Sequence, residues 1–294
     1  MTHQSHDVKI RQMEKRDLQQ VLDLINNEGW EYDMSEIDRI HRVDPRSSVV
    51  ACSGDLVVGG VTVVTLGGRC IIGHAVVKEG WRRKGLGKIM IDSVMKDVES
   101  RGVDFFEVYS VIDAVPFYEK LGFKIIEELR TYVKRGLTQD DCSPLRSKGV
   151  RDLTISDLPQ IIALDTRMLG FERGAILEAL MKDFPTQCKG LFDGRELLGF
   201  IMGRTSQVMD DGGPWIMANP NVEDGALLLR ALLSSKKTGV RLIFGLSARN
   251  KMAQKILSNA GFKSEIDQFR LVKSKRMTAE FSPGVMTMSA FELG

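Results

Sequence analysis

A basic, glycine-containing turn occupies residues 82–88, where the chain reads Arg-Arg-Lys-Gly-Leu-Gly-Lys. The first backbone N–H groups of a helix have no partner within it, and the helix dipole together with flanking cations favours an anion there. Because Gly85 and Gly87 lack Cβ atoms, phosphate groups could approach this backbone closely. The residues therefore predict a phosphate-binding loop.

A strand and a helix must hold this loop in place. Residues 70–77 form an apolar run that predicts the strand. Apolar residues then recur at every fourth position, at Leu86, Met90, Val94 and Val98, which predicts a helix with one side packed on the strand layer. We expect the strand, the loop and the helix to form one phosphate-holding unit.

The glycine spacing narrows the kind of phosphate ligand. A nucleoside-triphosphate loop needs Gly-x-x-x-x-Gly-Lys-Ser/Thr and a dinucleotide loop needs Gly-x-Gly-x-x-Gly, whereas this segment has Arg-x-x-Gly-x-Gly. An ordinary turn is the remaining alternative. The arrangement resembles the acyl-CoA loop of the GNAT superfamily of N-acyltransferases. The resemblance implies acetyl-CoA as the acyl donor, with its pyrophosphate held by Arg82, Arg83, Lys84, Gly85, Leu86, Gly87 and Lys88 and its pantetheine arm by the backbone of Ala75, Val76 and Val77.

A second segment extends the resemblance. Residues 114–123 look like the closing family signature Ala-x-x-x-Tyr-x-x-x-Gly-Phe. This places Tyr118 where the family commonly has its general acid, although a core tyrosine of an amphipathic helix is the alternative. Val111 stands where many relatives have an asparagine, so the resemblance implies one missing cofactor contact. Because a helix crosses over between them, we expect the strand at residues 104–110 to lie parallel to the first strand. The resemblance implies that the two strands splay at their ends, leaving a gap for the acyl chain.

The sequence identifies the general base and the residues of the acceptor site less definitely. His74 is a candidate base because its ordinary pKa suits the task, and Glu107 and Glu31 are further candidates. Strand alternation turns His74 away from the face of Gly73 and Ala75 unless a bulge shifts the register, and a structural histidine is the alternative. The spacing of Leu18, Val21, Leu22 and Ile25 predicts a helix near the start of the chain. Trp30 and Tyr32 follow this helix, where the resemblance implies a wall of the acceptor site. They could also fill the core.

Composition indicates a cytoplasmic protein. The 294 residues include 41 basic and 39 acidic ones, and a net charge of +2 favours neither nucleic acid nor an anionic membrane. Four cysteines without metal-site spacing indicate reduced thiols and no metal. The first residues lack the apolar run of a signal peptide. The oligomeric state is left open.

The second half of the sequence repeats the first. An offset of 139 aligns Ala114 with Ala253 and Gly122-Phe123 with Gly261-Phe262. The phosphate loop then corresponds to Asn-Val-Glu-Asp-Gly-Ala at residues 221–226, and Tyr118 corresponds to Leu257. Because Glu223 and Asp224 would repel a pyrophosphate, we expect no CoA at the second loop. We predict a catalytic domain at residues 1–137, a linker at 138–148 and a degenerate domain at 149–294.

The second half resembles the YitH-type C-terminal GNAT domain at residues 213–218 and 223–229. The resemblance implies that it lines or closes the acceptor site of the first half, and Trp215 is included among the acceptor contacts. The fold class is mixed α/β (α+β), with two tandem domains that each contain a twisted, mostly antiparallel sheet flanked by helices. The predicted function is acetyl-CoA-dependent acylation of a primary amine on a small molecule. The alternative is a catalytically inactive acyl-CoA-binding regulator or scaffold.

Overall fold

The two halves of the chain contain the same helices and strands in the same order. The computed structural model describes residues 8–145, 147–275 and 281–288. The first half contains β1 Lys9–Gln12, α1 Leu18–Asn26, α2 Met34–Val43, β2 Val49–Ser53, β3 Leu56–Leu66, β4 Arg69–Val77, α3 Leu86–Ser100, β5 Phe105–Val111, α4 Val115–Lys120 and β6 Lys124–Lys134. The second half contains β7 Val150–Asp152, α5 Leu158–Leu169, α6 Gly174–Asp183, β8 Cys188–Asp193, β9 Glu196–Arg204, β10 Asp210–Met217, α7 Val222–Leu233, β11 Leu242–Ser247, α8 Lys251–Asn259, β12 Lys263–Ser274 and, in addition, β13 Val285–Thr287.

A buried aspartate fixes the entry to the first helix in each half. Asp17 pairs with Arg11 of β1 at 2.7 Å, and Asp157 pairs with Arg151 of β7 at 2.7 Å. The hydrogen bonds from Arg151 hold the pKa of Asp157 well below its usual range. Asp17 and Asp157 therefore occupy equivalent positions and make equivalent contacts in the two halves.

One sheet runs through both halves because they exchange their last long strands. The strand order is β1-β2-β3-β4-β5-β12-β6-β11-β10-β9-β8-β7. β12 pairs with β5, placing Leu271 opposite Val108, while β6 pairs with β11, placing Phe244 opposite Tyr132. Each half therefore completes its sheet with a strand from the other half, and the β12–β6 pair joins the two sheets. The sequence did not predict this exchange.

The helices cover both faces of the sheet. α3 packs on one face, where it shares a core with β2, β4 and β5. On the other face a single apolar core joins α1 and α2 to α5 and α6, with Val21, Ile37, Ile176 and Leu177 among its members. No helix within the described ranges is both long and apolar enough to cross a membrane.

Candidate active site

A gap opens between β4 and β5 at the end nearest the phosphate loop. The two strands pair in parallel, as predicted, but only as far as Ile72 opposite Val108. In the neighbouring ladder Val61 pairs with Ala75 and Val63 with Ile72, so one residue of β3 faces two residues of β4. This is a β-bulge at residues 73–74, and a bulge bends the strand that carries it. β4 diverges from β5 beyond this point.

The backbone of β4 lines this gap at alternate residues. The Lys78 N–H donates to Val58 O at 2.9 Å. Because backbone groups in an antiparallel pair alternate in direction, Val76 also points toward β3, whereas Ala75 and Val77 point into the gap. The prediction that Val76 also offers its backbone to a ligand is therefore wrong. Ala75 and Val77 keep the predicted position.

The phosphate loop presents an uncapped helix start. Gly85, with φ +79°, is the residue before α3, and a glycine has no side chain with which to cap the helix. The first helical bond is from Ile89 N to Gly85 O at 3.1 Å, and within the described ranges the N–H groups of residues 83–88 have no acceptor. Six adjacent donors and the four cations of residues 82–88 therefore fit an anionic group.

Two of the loop cations are held by other parts of the protein. Arg82 Nε donates to Val77 O at 2.8 Å, and its guanidinium also pairs with Glu28 at the end of α1. Lys84 Nζ donates to Gly80 O at 3.1 Å and lies 5.3 Å from the centre of the Trp81 ring. These contacts fix the loop against β4 and α1.

At the corresponding helix start of the second half, the described residues leave no open anion site. Asn221 caps α7 by accepting a hydrogen bond from Asp224 N at 2.9 Å, and its side-chain amide donates to the Asp224 carboxylate at 2.7 Å. The first turn of α7 also carries the negative charges of Glu223 and Asp224. The helix start that corresponds to the phosphate loop is therefore self-capped and acidic.

β13 occupies the second gap. It pairs with β10, with Trp215 opposite Thr287 and Met217 N donating to Gly284 O at 2.9 Å. Asn250 corresponds to Val111, and its amide donates to Val285 O at 2.8 Å. A peptide strand thus takes the place that remains open beside Ala75 and Val77 in the first half.

Tyr118 lies in α4 beside the loop helix. The Phe117 ring is 3.5 Å from the position that a Cβ would take on Gly87, and the Tyr118 ring packs between Phe117 and Phe123 at centroid distances of 5.1 and 5.8 Å. The hydroxyl of Tyr118 donates to no residue in the described part of the chain. Burial raises its pKa to about 12, so the phenol stays protonated at neutral pH.

His74 lies in the bulge and packs against both predicted aromatic residues. Its ring centre is 4.2 Å from that of Tyr32 and 5.9 Å from that of Trp30. Burial lowers the pKa of His74 to about 3. The structure therefore brings together three predicted site residues, but a histidine with this pKa is a weak base.

The two other candidate bases are ion-paired. Glu107 is buried, and although burial alone would raise its pKa, Arg270 at 2.6 Å and Arg69 at 3.5 Å hold that pKa below its usual value. Glu31 pairs with Arg241 at 3.1 Å. Neither carboxylate is a free base in this arrangement.

The second half holds the segment that carries Trp30 and Tyr32. Gln207 N donates to Asp33 Oδ2 at 3.0 Å, and Arg241 pairs with Glu31. Trp215, in contrast, is fully buried beside Phe244 in the core of the second half, so it does not contact an acceptor. Sequence reasoning missed the Gln207 and Arg241 contacts, which no local pattern indicates, and the cap at Asn221, which an asparagine before an acidic first turn could have indicated.

Two family models match the chain. Each is described as an acetyltransferase (GNAT) domain, and they cover residues 13–138 and 161–282. A protein of Bacillus subtilis (strain 168), named a putative acetyltransferase, is 26% identical over 96 residues. That match covers 33% of this chain and 64% of the relative, which is less than two thirds of its length. The YitH-type assignment and the predicted domain boundaries stay predictions.

Solved structures share the fold over nearly the whole chain. A putative acetyltransferase from Pyrococcus horikoshii has a TM-score of 0.78 at 17% identity, covering 100% of this chain and 99% of its own. A tandem GNAT protein from the clavulanic acid biosynthesis pathway has a TM-score of 0.65 at 12% identity, covering 92% of this chain and 100% of its own. At these identities the similarity concerns the fold alone. The family models and the duplicated architecture together show that the chain belongs to the GNAT acetyltransferase family and carries two GNAT domains in tandem.

Proposed function

We propose that this protein is an acetyl-CoA-dependent N-acyltransferase that transfers an acyl group from CoA to a primary amine of a small molecule. The observation that carries the proposal is the contrast between the halves. The first half has an uncapped helix start and an open gap, whereas the second has a self-capped, acidic helix start and a gap filled by β13. Only the first half fits a pyrophosphate joined to an extended arm.

The first half would bind the acyl donor along β4 and α3. The N–H groups of residues 83–88 would hold the pyrophosphate, and Ala75 and Val77 would bond the amide groups of the pantetheine arm. Acetyl-CoA supplies an activated acyl carbon on a thioester. Tyr118 would stabilise and protonate the departing thiolate. Burial that raises the pKa of this phenol also raises that of a thiol beside it, which brings the two groups closer in proton affinity.

Contacts from the second half support a small acceptor. The ion pair between Arg241 and Glu31 and the bond from Gln207 to Asp33 hold the segment that carries Trp30 and Tyr32. These contacts, at Glu31 between the two aromatic residues and at Asp33 directly after them, give the acceptor site a fixed aromatic wall. Among the candidate bases none is both free and basic, so water would take the proton that the amine loses. We further propose a cytoplasmic location, which the four free cysteines support.

The donor site is tested by calorimetric titration of acetyl-CoA into the wild-type protein and two variants. We expect one site in the wild type and none in Gly85→Asp, because a carboxylate and a side chain at φ +79° both oppose the pyrophosphate. A protein with Glu223→Ala and Asp224→Ala should bind as the wild type does. Binding that survives Gly85→Asp would contradict the assignment of the loop.

The second candidate function is an acyl-CoA-binding regulator that does not turn over. The lack of a free base among the three candidates favours it. Incubation of the acyl-CoA complex with a panel of small amines, at neutral and alkaline pH, separates the two. Tight binding without any acylated product would favour the regulator.

A further inference from the structure

We propose that His74 acts as a neutral hydrogen-bond donor, through Nε2–H, to the carbonyl oxygen of the acyl donor. The inference rests on the proposed acyl transfer and gives His74 a role other than that of a base. Three observations carry it: the contacts of the ring with Thr62, the unpartnered Nε2 atom, and the position of His74 at the start of the gap.

Thr62 determines which ring nitrogen carries the proton. The backbone N–H of His74 donates to Thr62 Oγ1 at 2.8 Å, and the same oxygen lies 3.0 Å from His74 Nδ1. This hydroxyl could accept a second bond, but among the described residues its own proton has no acceptor other than Nδ1. Donation from Thr62 to Nδ1 therefore leaves fewer polar groups unpaired than the reverse, and we infer this direction. A neutral imidazole whose Nδ1 accepts a hydrogen bond carries its proton on Nε2.

The Nε2–H group is a buried donor without an acceptor. Nε2 is sealed from solvent and makes no hydrogen bond within the described part of the chain. A buried donor in this condition is unfavourable, and a ligand oxygen that accepts from it removes the penalty. No charged group contributes to the lowered pKa of His74, which follows from burial alone.

His74 lies on β4 at the point where the gap beside β5 begins. It follows Ile72, the last residue of β4 that pairs with β5, by two positions and directly precedes Ala75, the first residue whose backbone faces the gap. Tyr32 and Trp30 cover its ring from the proposed acceptor side. His74 therefore lies on β4 where the donor gap begins, and its imidazole packs against the proposed acceptor wall.

The proposed step balances without a proton transfer at His74. The amine nitrogen bonds to the acyl carbon and the carbonyl electron pair moves to oxygen. The pair then returns as the carbon–sulfur bond breaks. Tyr118 gives its proton to the thiolate, and solvent restores it, while water takes the proton lost by the amine. The Nε2–H bond stabilises the oxyanion, a part that a neutral imidazole can take in a buried site.

Steady-state kinetics on three variants tests this role. His74→Leu removes the donor, His74→Gln can return an N–H near the position of Nε2, and His41→Gln is a control at another histidine with a buried, unpartnered ring nitrogen. We expect kcat to fall about 10²–10³-fold in His74→Leu at unchanged Kd for acetyl-CoA, with partial recovery in His74→Gln. A His74→Gln variant as inactive as His74→Leu would indicate a base and overturn the proposal.

Nitrogen NMR on protein with labelled histidines gives a reading that does not depend on activity. Between about pH 5 and pH 8, Nε2 of His74 should be protonated and Nδ1 bare. The Nε2 proton should shift when an unreactive ketone analogue of acetyl-CoA binds, and a proton on Nδ1 or no shift would overturn the proposal. Calorimetry distinguishes a failure of the proposed function from a failure of the proposed role of His74. If the wild type does not bind acetyl-CoA, the proposed function itself is contradicted. Binding with unaltered kcat in His74→Leu contradicts only the role of His74.

Discussion

At the scale of single residues, Tyr118 offers the sharpest test of acid catalysis. Its hydroxyl makes no hydrogen bond to a described residue, so Tyr118→Phe should leave the melting temperature nearly unchanged. The variant cannot protonate the thiolate, and kcat should fall about 10²–10⁴-fold at unchanged Kd for acetyl-CoA. Steady-state kinetics and calorimetry measure the two quantities. An unchanged kcat would show that Tyr118 is a structural core residue and not the general acid.

His74 also predicts how stability depends on pH. Its pKa falls from 6.5 to about 3 on folding, so between these values the unfolded chain binds a proton that the folded chain does not. The free energy of unfolding should therefore decrease as the pH falls through this range, by about 1.4 kcal/mol per pH unit from this residue. Urea unfolding at several pH values should show a shallower slope in His74→Gln. Equal slopes in the two proteins would contradict the buried, neutral histidine.

At the scale of elements, the contact between the second half and the segment before α2 should affect the acceptor alone. Arg241→Ala removes the pair with Glu31, and a partly exposed pair of this kind corresponds to about a two- to fivefold rise in the acceptor KM. Binding of acetyl-CoA should not change. Lys182→Ala, which removes an exposed pair with Glu178 within α6, is the matched control. Equal effects of both variants on the acceptor KM would show that the second half does not contribute to the acceptor site.

The sequence predicted elements better than their partners. The four-residue spacing of Leu86, Met90, Val94 and Val98 predicted α3 correctly, because helical spacing is a local property of the sequence. All four side chains are buried in the structure. The bulge at residues 73–74 depends on how β4 pairs with β3 around Thr62. The residue pattern within β4 alone therefore could not predict it. The strand exchange could not be predicted either. β6 and β12 are equivalent strands of a duplicated sequence, and the alternation of apolar and polar residues along them does not specify which half's sheet each strand joins.

The candidate site shows the same division. The loop glycines and the expected loss of the second anion site followed from residue types at fixed spacings, whereas the role of Tyr118 followed from the resemblance to the GNAT family. The burial of Trp215 and the direction of the Val76 backbone toward β3 could not be predicted in this way, because both depend on pairing with other strands. β13 fills the second gap from beyond the repeat, where no counterpart in the first half could indicate it.

At the scale of the whole molecule, the exchange of β6 and β12 predicts a single unfolding transition. Neither half has a complete sheet without the other, so thermal unfolding should not separate them. Trp30 and Trp81 report on the first half and Trp215 on the second. A variant with Trp30→Phe and Trp81→Phe and a variant with Trp215→Phe should each show fluorescence and circular dichroism midpoints that coincide. Two resolved transitions would contradict this.

The same exchange has a consequence for synthesis on the ribosome. β5 emerges long before β12, its partner, and at a usual rate of translation the delay is on the order of 10 s. During that time the β5 edge of the nascent first half carries unpaired backbone groups, which can pair with another chain. The nascent protein must therefore remain shielded or slow to aggregate until its final long strand is made, and premature termination after the first half would release a chain with an open, adhesive edge.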